Sequence, residues 1–270
     1  MSDDTIPDIP MPTEPGVLEA TLRAARAAGR KVLVPYITGG YPGWQDAIRA
    51  AAANGADAVE IGVPFSDPVM DGPVIQQASQ AALDAGATPA GVLAEVPRLD
   101  VDIPLVVMTY YNLVHHDGHR RFASRLVEAG VAGCILPDLP LEEATPWTRA
   151  ADWAGVETVM LAAPTAPDER LPRIAARTRG FVYSVGLLGV TGERDSLAAT
   201  ATALAARVKA ITDIPVLVGV GVSNAEQAYE ASRIADGVIQ GASMMRRMMD
   251  AGPNAVGAYV AEVRAAIDRP

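Results

Sequence analysis

The sequence predicts an α/β fold, a single (β/α)8 TIM barrel with an extra N-terminal helix. Three observations lead there. Short runs rich in Val, Ile and Leu alternate eight times with longer amphipathic stretches, and those short runs are apolar on both faces, as strands covered on both sides must be. No change of composition and no Ser/Gly linker divides the chain of 270 residues. An open, doubly wound sheet shares this alternation and is the competing arrangement. Half of the residues are hydrophobic, which is enough for one large core.

Taken in order, residues 1–15 hold four prolines and four acids with neither a basic start nor an apolar stretch. They read as a flexible tail rather than a signal peptide or membrane anchor, leaving 16–270 as the catalytic barrel domain. Residues 17–28 carry helical spacing and stop at Gly29. A β-branched strand at 32–37 follows, then the turn Thr38-Gly39-Gly40-Tyr41-Pro42-Gly43 and an Ala-rich helix at 44–54. Further strands are expected at 58–62, 104–110, 132–137, 157–162, 180–185, 215–220 and 237–240. Helices are expected at 74–85 with 89–99, then at 118–129, 141–154, 168–177, 197–211, 225–233 and 255–267.

Composition narrows the partners. The formal charge is -10, the pI is near 4.8, and no Lys/Arg-rich face or tail is present, so neither nucleic acid nor an anionic membrane is an expected partner. Cys134 stands alone in the run Gly133-Cys134-Ile135-Leu136, where it reads as a small core hydrophobe in a reducing cytoplasm.

A barrel places its chemistry in the loops at the C-terminal ends of its strands. There the stretch Glu60-Ile61-Gly62-Val63-Pro64-Phe65-Ser66-Asp67-Pro68-Val69-Met70-Asp71-Gly72-Pro73 stands out. Strand alternation sends Glu60 to one face and Val59 and Ile61 to the other, so Glu60 turns toward the axis. A half-dehydrated carboxylate near the rim gains a raised pKa and trades protons near neutrality. The plainer reading is a core Glu bonded to a neighbouring hydroxyl or Arg. Asp71 sits on the Pro/Gly-punctuated loop that follows, and its plainer reading is a turn or a cap of the next helix. Together the two acids suit a reaction in which one proton is delivered and another removed.

Three late glycine segments each follow a strand: Leu188-Gly189-Val190-Thr191-Gly192, Gly219-Val220-Gly221-Val222-Ser223 and Gln240-Gly241-Ala242-Ser243. The last two fall after strands seven and eight, where barrel enzymes commonly seat a phosphate against backbone N–H groups and a helix end.

Other chemistries lack their residues. The two lysines are Lys31, ahead of the first strand, and Lys209, on an outer helix, so no Schiff-base amine is expected in the pocket. His115, His116 and His119 cluster beside Asp117-Gly118 and read as surface residues, and no metal is expected. Acid–base work by carboxylates remains.

The long Glu60–Pro73 stretch, with Gly189-Val190-Thr191-Gly192, Pro137-Asp138-Leu139-Pro140 and Tyr110-Tyr111-Asn112, resembles the tryptophan synthase alpha chain family from about residue 35 to the last helix. The resemblance implies a barrel lyase that splits indole-3-glycerol phosphate into indole and glyceraldehyde 3-phosphate by a retro-aldol reaction, with no cofactor of its own. It implies that Glu60 protonates the substituted indole carbon and helps to remove the hydroxyl proton, while Asp71 accepts the indole N–H. It places Tyr183, Gly192, Gly221 and Gly241 along the phosphate end or pocket, Tyr36 and Tyr110 as apolar walls, and Thr191 opposite the loop aspartate in a closed state. Ala242 stands where the family usually has Ser, and Gly186-Leu187-Leu188 is more apolar than the family's mobile loop. A pyridoxal-phosphate β chain is the implied partner, in an alpha2beta2 hetero-tetramer of the cytoplasm, docked near Asp67-Pro68 and Pro137–Pro140. A stand-alone lyase that releases free indole is the alternative, and a non-catalytic binding partner is a third reading.

Overall fold

The computed structural model describes residues 10–186, 194–219 and 221–269. Eight parallel strands close into one barrel: β1 Val32–Thr38, β2 Val59–Gly62, β3 Leu105–Met108, β4 Gly133–Ile135, β5 Glu157–Ala162, β6 Val182–Ser184, β7 Val216–Val218 and β8 Gly237–Gln240. The strands pair in chain order, and β8 returns to β1 with Val34 opposite Ile239. Closure leaves no unpaired sheet edge, which excludes the open-sheet alternative.

The helices are α1 Val17–Ala27, α2 Trp44–Ala53, α3 Pro73–Asp84, α4 Pro89–Glu95, α5 Tyr111–Asp117, α6 His119–Glu128, α7 Thr145–Ala154, α8 Leu171–Arg177, α9 Arg194–Lys209, α10 Ala225–Ile234, α11 Ala242–Ala251 and α12 Pro253–Ile267. Two of them, α5 and α11, fall where the sequence reading held no helix. The expected helix at 141–154 divides into a 3-10 turn at Leu141–Glu143 and α7. No helix among the described residues is long and apolar enough to cross a membrane.

Strand alternation builds two cores. Outward residues such as Val59, Ile61 and Val107 pack under the helices, while Val32, Val34, Ala58, Val106, Ile135, Val159, Phe181, Leu217 and Ile239 fill the barrel interior. Helix α1 closes the N-terminal end by adding Leu18 and Leu22, both fully buried, to that interior set. Glu157 holds α1 in place, its carboxylate accepting the N–H groups of Leu18 at 2.7 Å and Glu19 at 2.9 Å. This distant acid satisfies orphan donors that Gly16, the residue at the N-cap, has no side chain to meet.

Both lysines serve the same end of the barrel. Lys31 Nζ donates to the Ala235 carbonyl, and Lys209 Nζ pairs with Asp236 at 2.6 Å. Cys134 is buried in the outer core, and burial pushes its thiol well above the ordinary range.

Candidate active site

With the lower barrel filled by apolar side chains, the upper interior is left open, and a cavity of about 270 Å³ lies there. Seven residues singled out from sequence face it: Tyr36, Glu60, Asp71, Tyr183, Gly221, Gly241 and Ala242. Thr191 and Gly192, with Leu187 and Leu188, lie outside the described residues.

Glu60 follows directly from β2. Ala58 and Glu60 point inward and Val59 and Ile61 outward, so the strand that seals the outer core delivers one carboxylate to the cavity. Glu60 is 1% exposed, and its Oε2 has no hydrogen-bond partner among the described residues. Burial, with a further push from the Asp71 charge, raises its pKa to about 8. The plainer reading, a core Glu held by a hydroxyl or Arg, therefore fails for that oxygen.

Asp71 arrives from the loop. The Asp71 N–H closes a turn on the Pro68 carbonyl at 3.0 Å, and the Gln76 amide reaches back to the Asp71 carbonyl at 2.8 Å. Its carboxylate does not cap α3, whose N-cap is Gly72 without a side-chain bond. Instead it accepts the Tyr110 hydroxyl at 3.0 Å. Burial raises its pKa and the Tyr110 bond opposes the rise. Tyr110 is thus less a wall than a support behind the acid, its ring stacked on Phe65 at 5.0 Å between centroids.

Tyr36 and Tyr183 lie across the barrel mouth because two strand-end residues lack side chains. A Cβ on Gly62 would meet the Tyr36 hydroxyl, and one on Gly219 would meet the Tyr183 ring. Tyr36 is buried and Tyr183 half-buried beside the acids, and desolvation holds both phenols well above their usual pKa, so they stay neutral.

Opposite the acids, the two glycine turns differ in what they offer. Helix α10 is already closed: Asn224 accepts the Gln227 N–H at 2.9 Å, and the Gln227 side chain accepts the Ser223 N–H at 2.8 Å. Helix α11 begins at Gly241 without any side-chain cap, and its first turn abuts the cavity through Gly241, Ala242 and Ser243. An uncapped first turn and a positive helix end therefore face the cavity at α11, while at α10 the Gln227 N–H is already taken by Asn224. Gly221, at φ +87°, contributes backbone beside it, and the Tyr259 hydroxyl donates to the Ser223 carbonyl at 3.1 Å, tying that loop to α12. Among the described residues no Lys or Arg lines the cavity, so an anion held by them rests on backbone dipoles.

Several cavity residues escaped the sequence reading. Met108 and Val185 continue the inward alternation of Val106 and Tyr183, a signal the sequence does contain. Met70 and Ile75 do not announce themselves, because only the fold brings the β2 loop and α3 back over the mouth.

Of the three histidines, His115 and His116 are exposed, while His119 is partly buried with Nε2 2.8 Å from the Tyr111 hydroxyl. Among the described residues, no group of three or more His, Cys, Asp or Glu side chains is placed to hold a metal ion.

The family model described as tryptophan synthase alpha chain matches residues 22–266. The chain belongs to the tryptophan synthase alpha chain family. The tryptophan synthase alpha chain of Streptomyces coelicolor is 48% identical over 246 residues, covering 89% of this chain and 91% of the relative. That of Mycobacterium ulcerans is 44% identical, covering 86% and 87%. Among solved structures, a Mycobacterium tuberculosis tryptophan synthase chain superimposes with a TM-score of 0.87 at 37% identity, covering 95% of this chain and all of that one. The tryptophan synthase subunit alpha of Legionella pneumophila gives 0.85 at 33% identity, covering 94% and 99%.

Proposed function

We propose that this chain cleaves indole-3-glycerol phosphate to indole and glyceraldehyde 3-phosphate, as the α subunit of a tryptophan synthase. The observation that carries the reading is the facing arrangement of Glu60, buried with one oxygen unpartnered, Asp71 on its loop, and the uncapped start of α11. The phosphate sits at Gly221, Gly241 and Ala242, against backbone N–H groups. The indole ring lies toward the acids, between the rings of Tyr36 and Tyr183.

Glu60, protonated at neutral pH, gives its proton to the indole carbon that bears the glycerol chain, and Asp71 takes up the indole N–H. The tautomer so formed makes that carbon a leaving group. The ionised Glu60 then removes the proton of the adjacent glycerol hydroxyl, the carbon–carbon bond breaks, and the electron pair returns to the ring as Asp71 gives its proton back to the indole nitrogen.

A β chain docks at the mouth, over the Asp67-Pro68 turn with its exposed Val69 and the segment 137–140, in an alpha2beta2 assembly of the cytoplasm. Residues 16–270 act as one catalytic domain behind a short tail. The test is turnover of indole-3-glycerol phosphate by the purified chain with and without a tryptophan synthase β chain. Low basal turnover that rises with the β chain supports the subunit reading. High turnover indifferent to it points to a stand-alone lyase, and none in either condition removes the activity.

A further inference from the structure

The strand register places Tyr36 of β1 directly beside Glu60 of β2, and the ring is buried in the cavity wall. An apolar wall explains the ring but not the hydroxyl. That hydroxyl fills the space a Cβ on Gly62 would need, on the inner face of β2 one alternation step beyond Glu60, roughly 7 Å along the strand. The loop that carries Asp71 leaves the same strand. The Tyr36 oxygen therefore lies on the acid side of the cavity, nearer the mouth than Glu60. Tyr183 leans the other way, over Gly219 of the β7 end, toward the seat at Gly221.

Hydrogen bonding leaves the Tyr36 oxygen with work to do. Thr38 Oγ1 donates to it at 3.5 Å, a long bond that uses the phenol as acceptor. Among the described residues, its own proton is donated to no group. Ionisation of this phenol is opposed by burial and by the charges of Asp71 and Glu60, so the proton stays in place.

We propose that Tyr36 is a catalytic hydrogen-bond donor, its phenol O–H holding the glycerol oxygen that becomes the aldehyde carbonyl as the carbon–carbon bond breaks. The inference rests on the retro-aldol reading above. In that step the hydroxyl proton passes to the Glu60 carboxylate, and the freed oxygen pair forms the C=O bond. The carbon–carbon pair returns to the indole ring. Negative charge grows on the oxygen before the double bond is complete, and a neutral donor already fixed by its buried ring stabilises that charge at little cost in reorganisation. Tyr36 keeps its proton throughout, so the balance needs no further reactant.

The test is Tyr36→Phe, assayed with a β chain present. Its kcat for cleavage is expected to fall by roughly 100- to 1000-fold, the scale of one lost donor of this kind. KM is expected to change by less than about threefold, and an analogue with both glycerol hydroxyls replaced by hydrogen should bind both proteins equally, since it lacks the oxygen in question. The reverse condensation of indole with glyceraldehyde 3-phosphate should slow by the same factor, because a catalyst leaves the equilibrium constant unchanged. A kcat within about twofold of the parent overturns the proposal, as does a loss that appears instead in KM and in analogue affinity. If the parent chain itself fails to release indole, the retro-aldol reading falls and this proposal with it. An active parent with an equally active variant removes Tyr36 alone.

Discussion

The Tyr110 hydroxyl donates to Asp71 Oδ2 at 3.0 Å and accepts the Met70 N–H at 3.0 Å, so one phenol grips both the acid and the backbone beside it. Phe65, from the same loop, stacks on its ring. Tyr110→Phe keeps the stack and loses both bonds. The loop then holds Asp71 less firmly, and kcat should fall about 10-fold, a typical share for positioning one catalytic group. The sign of the accompanying pH effect is fixed. The Tyr110 bond favours the carboxylate, so its removal raises the Asp71 pKa, and the acidic limb of kcat/KM should move to higher pH. An unchanged limb would separate Asp71 from the proton chemistry.

Glu60 offers two readouts that bear on each other. Glu60→Gln removes the proton donor while keeping shape, so cleavage should be abolished and the binding of a substrate analogue nearly retained. In the parent, kcat/KM should decline as pH rises through about 8, where Glu60 loses the proton it must deliver. Stability should follow the same group. Between the ordinary carboxylate range and about 8 the folded state holds a proton that the unfolded state has released, so stability falls with rising pH across that window. The Gln variant carries no such penalty. Its unfolding midpoint should exceed the parent's by several degrees at pH 9 and by little at pH 5. A constant difference would show that Glu60 is not buried in the way described.

The phosphate seat can be tested by charge without removing a contact. Ala242 is exposed and is the first residue of α11, a helix with no side-chain cap. An acid in the first turn favours the helix by about 0.3–1 kcal/mol. Ala242→Asp should therefore leave the unfolding midpoint unchanged or slightly raised, while setting a negative charge against an anionic ligand. KM for indole-3-glycerol phosphate should rise at least about 30-fold, on the order of 2 kcal/mol, and inhibition by inorganic phosphate should vanish. Retained phosphate inhibition would move the seat elsewhere.

The sequence exposed what period and position control, and little else. Alternation in a four-residue strand was enough to turn Glu60 inward, because a slip of one residue would have put Val59 and Ile61 in the cavity. Helix α5 was hidden because it is only seven residues long and follows its strand almost at once. Its first N–H is met by Asp138, a partner 27 positions away. Helix α11 has clear apolar spacing in Met244, Met245 and Met248, yet the glycines at 241 and 252 mask it as a loop. The two glycine turns looked alike in sequence. Only the Asn224 and Gln227 bonds distinguish the closed start of α10 from the open start of α11. Tyr110 read as a wall because nothing local says where a phenol will find its acceptor.

The opposite end of the barrel should bear on stability alone. Leu18 of α1 is fully buried, and its Cδ2 packs so closely on Gly133 and Gly180, which flank the bottoms of β4 and β6, that a Cβ at Gly180 would lie 2.7 Å from it. Removing its branched end leaves a hole ringed by strand backbone, which has little freedom to collapse. Leu18→Ala should thus cost about 3 kcal/mol, within the usual span for buried leucines, and lower the unfolding midpoint by roughly 6–12 °C. The acids and the α11 start lie at the other mouth, with a filled layer of Val34, Val106 and Leu217 between. At 25 °C, where the variant remains folded, kcat/KM should stay within about twofold of the parent. A catalytic loss matching the stability loss would show that the plug and the site are mechanically coupled.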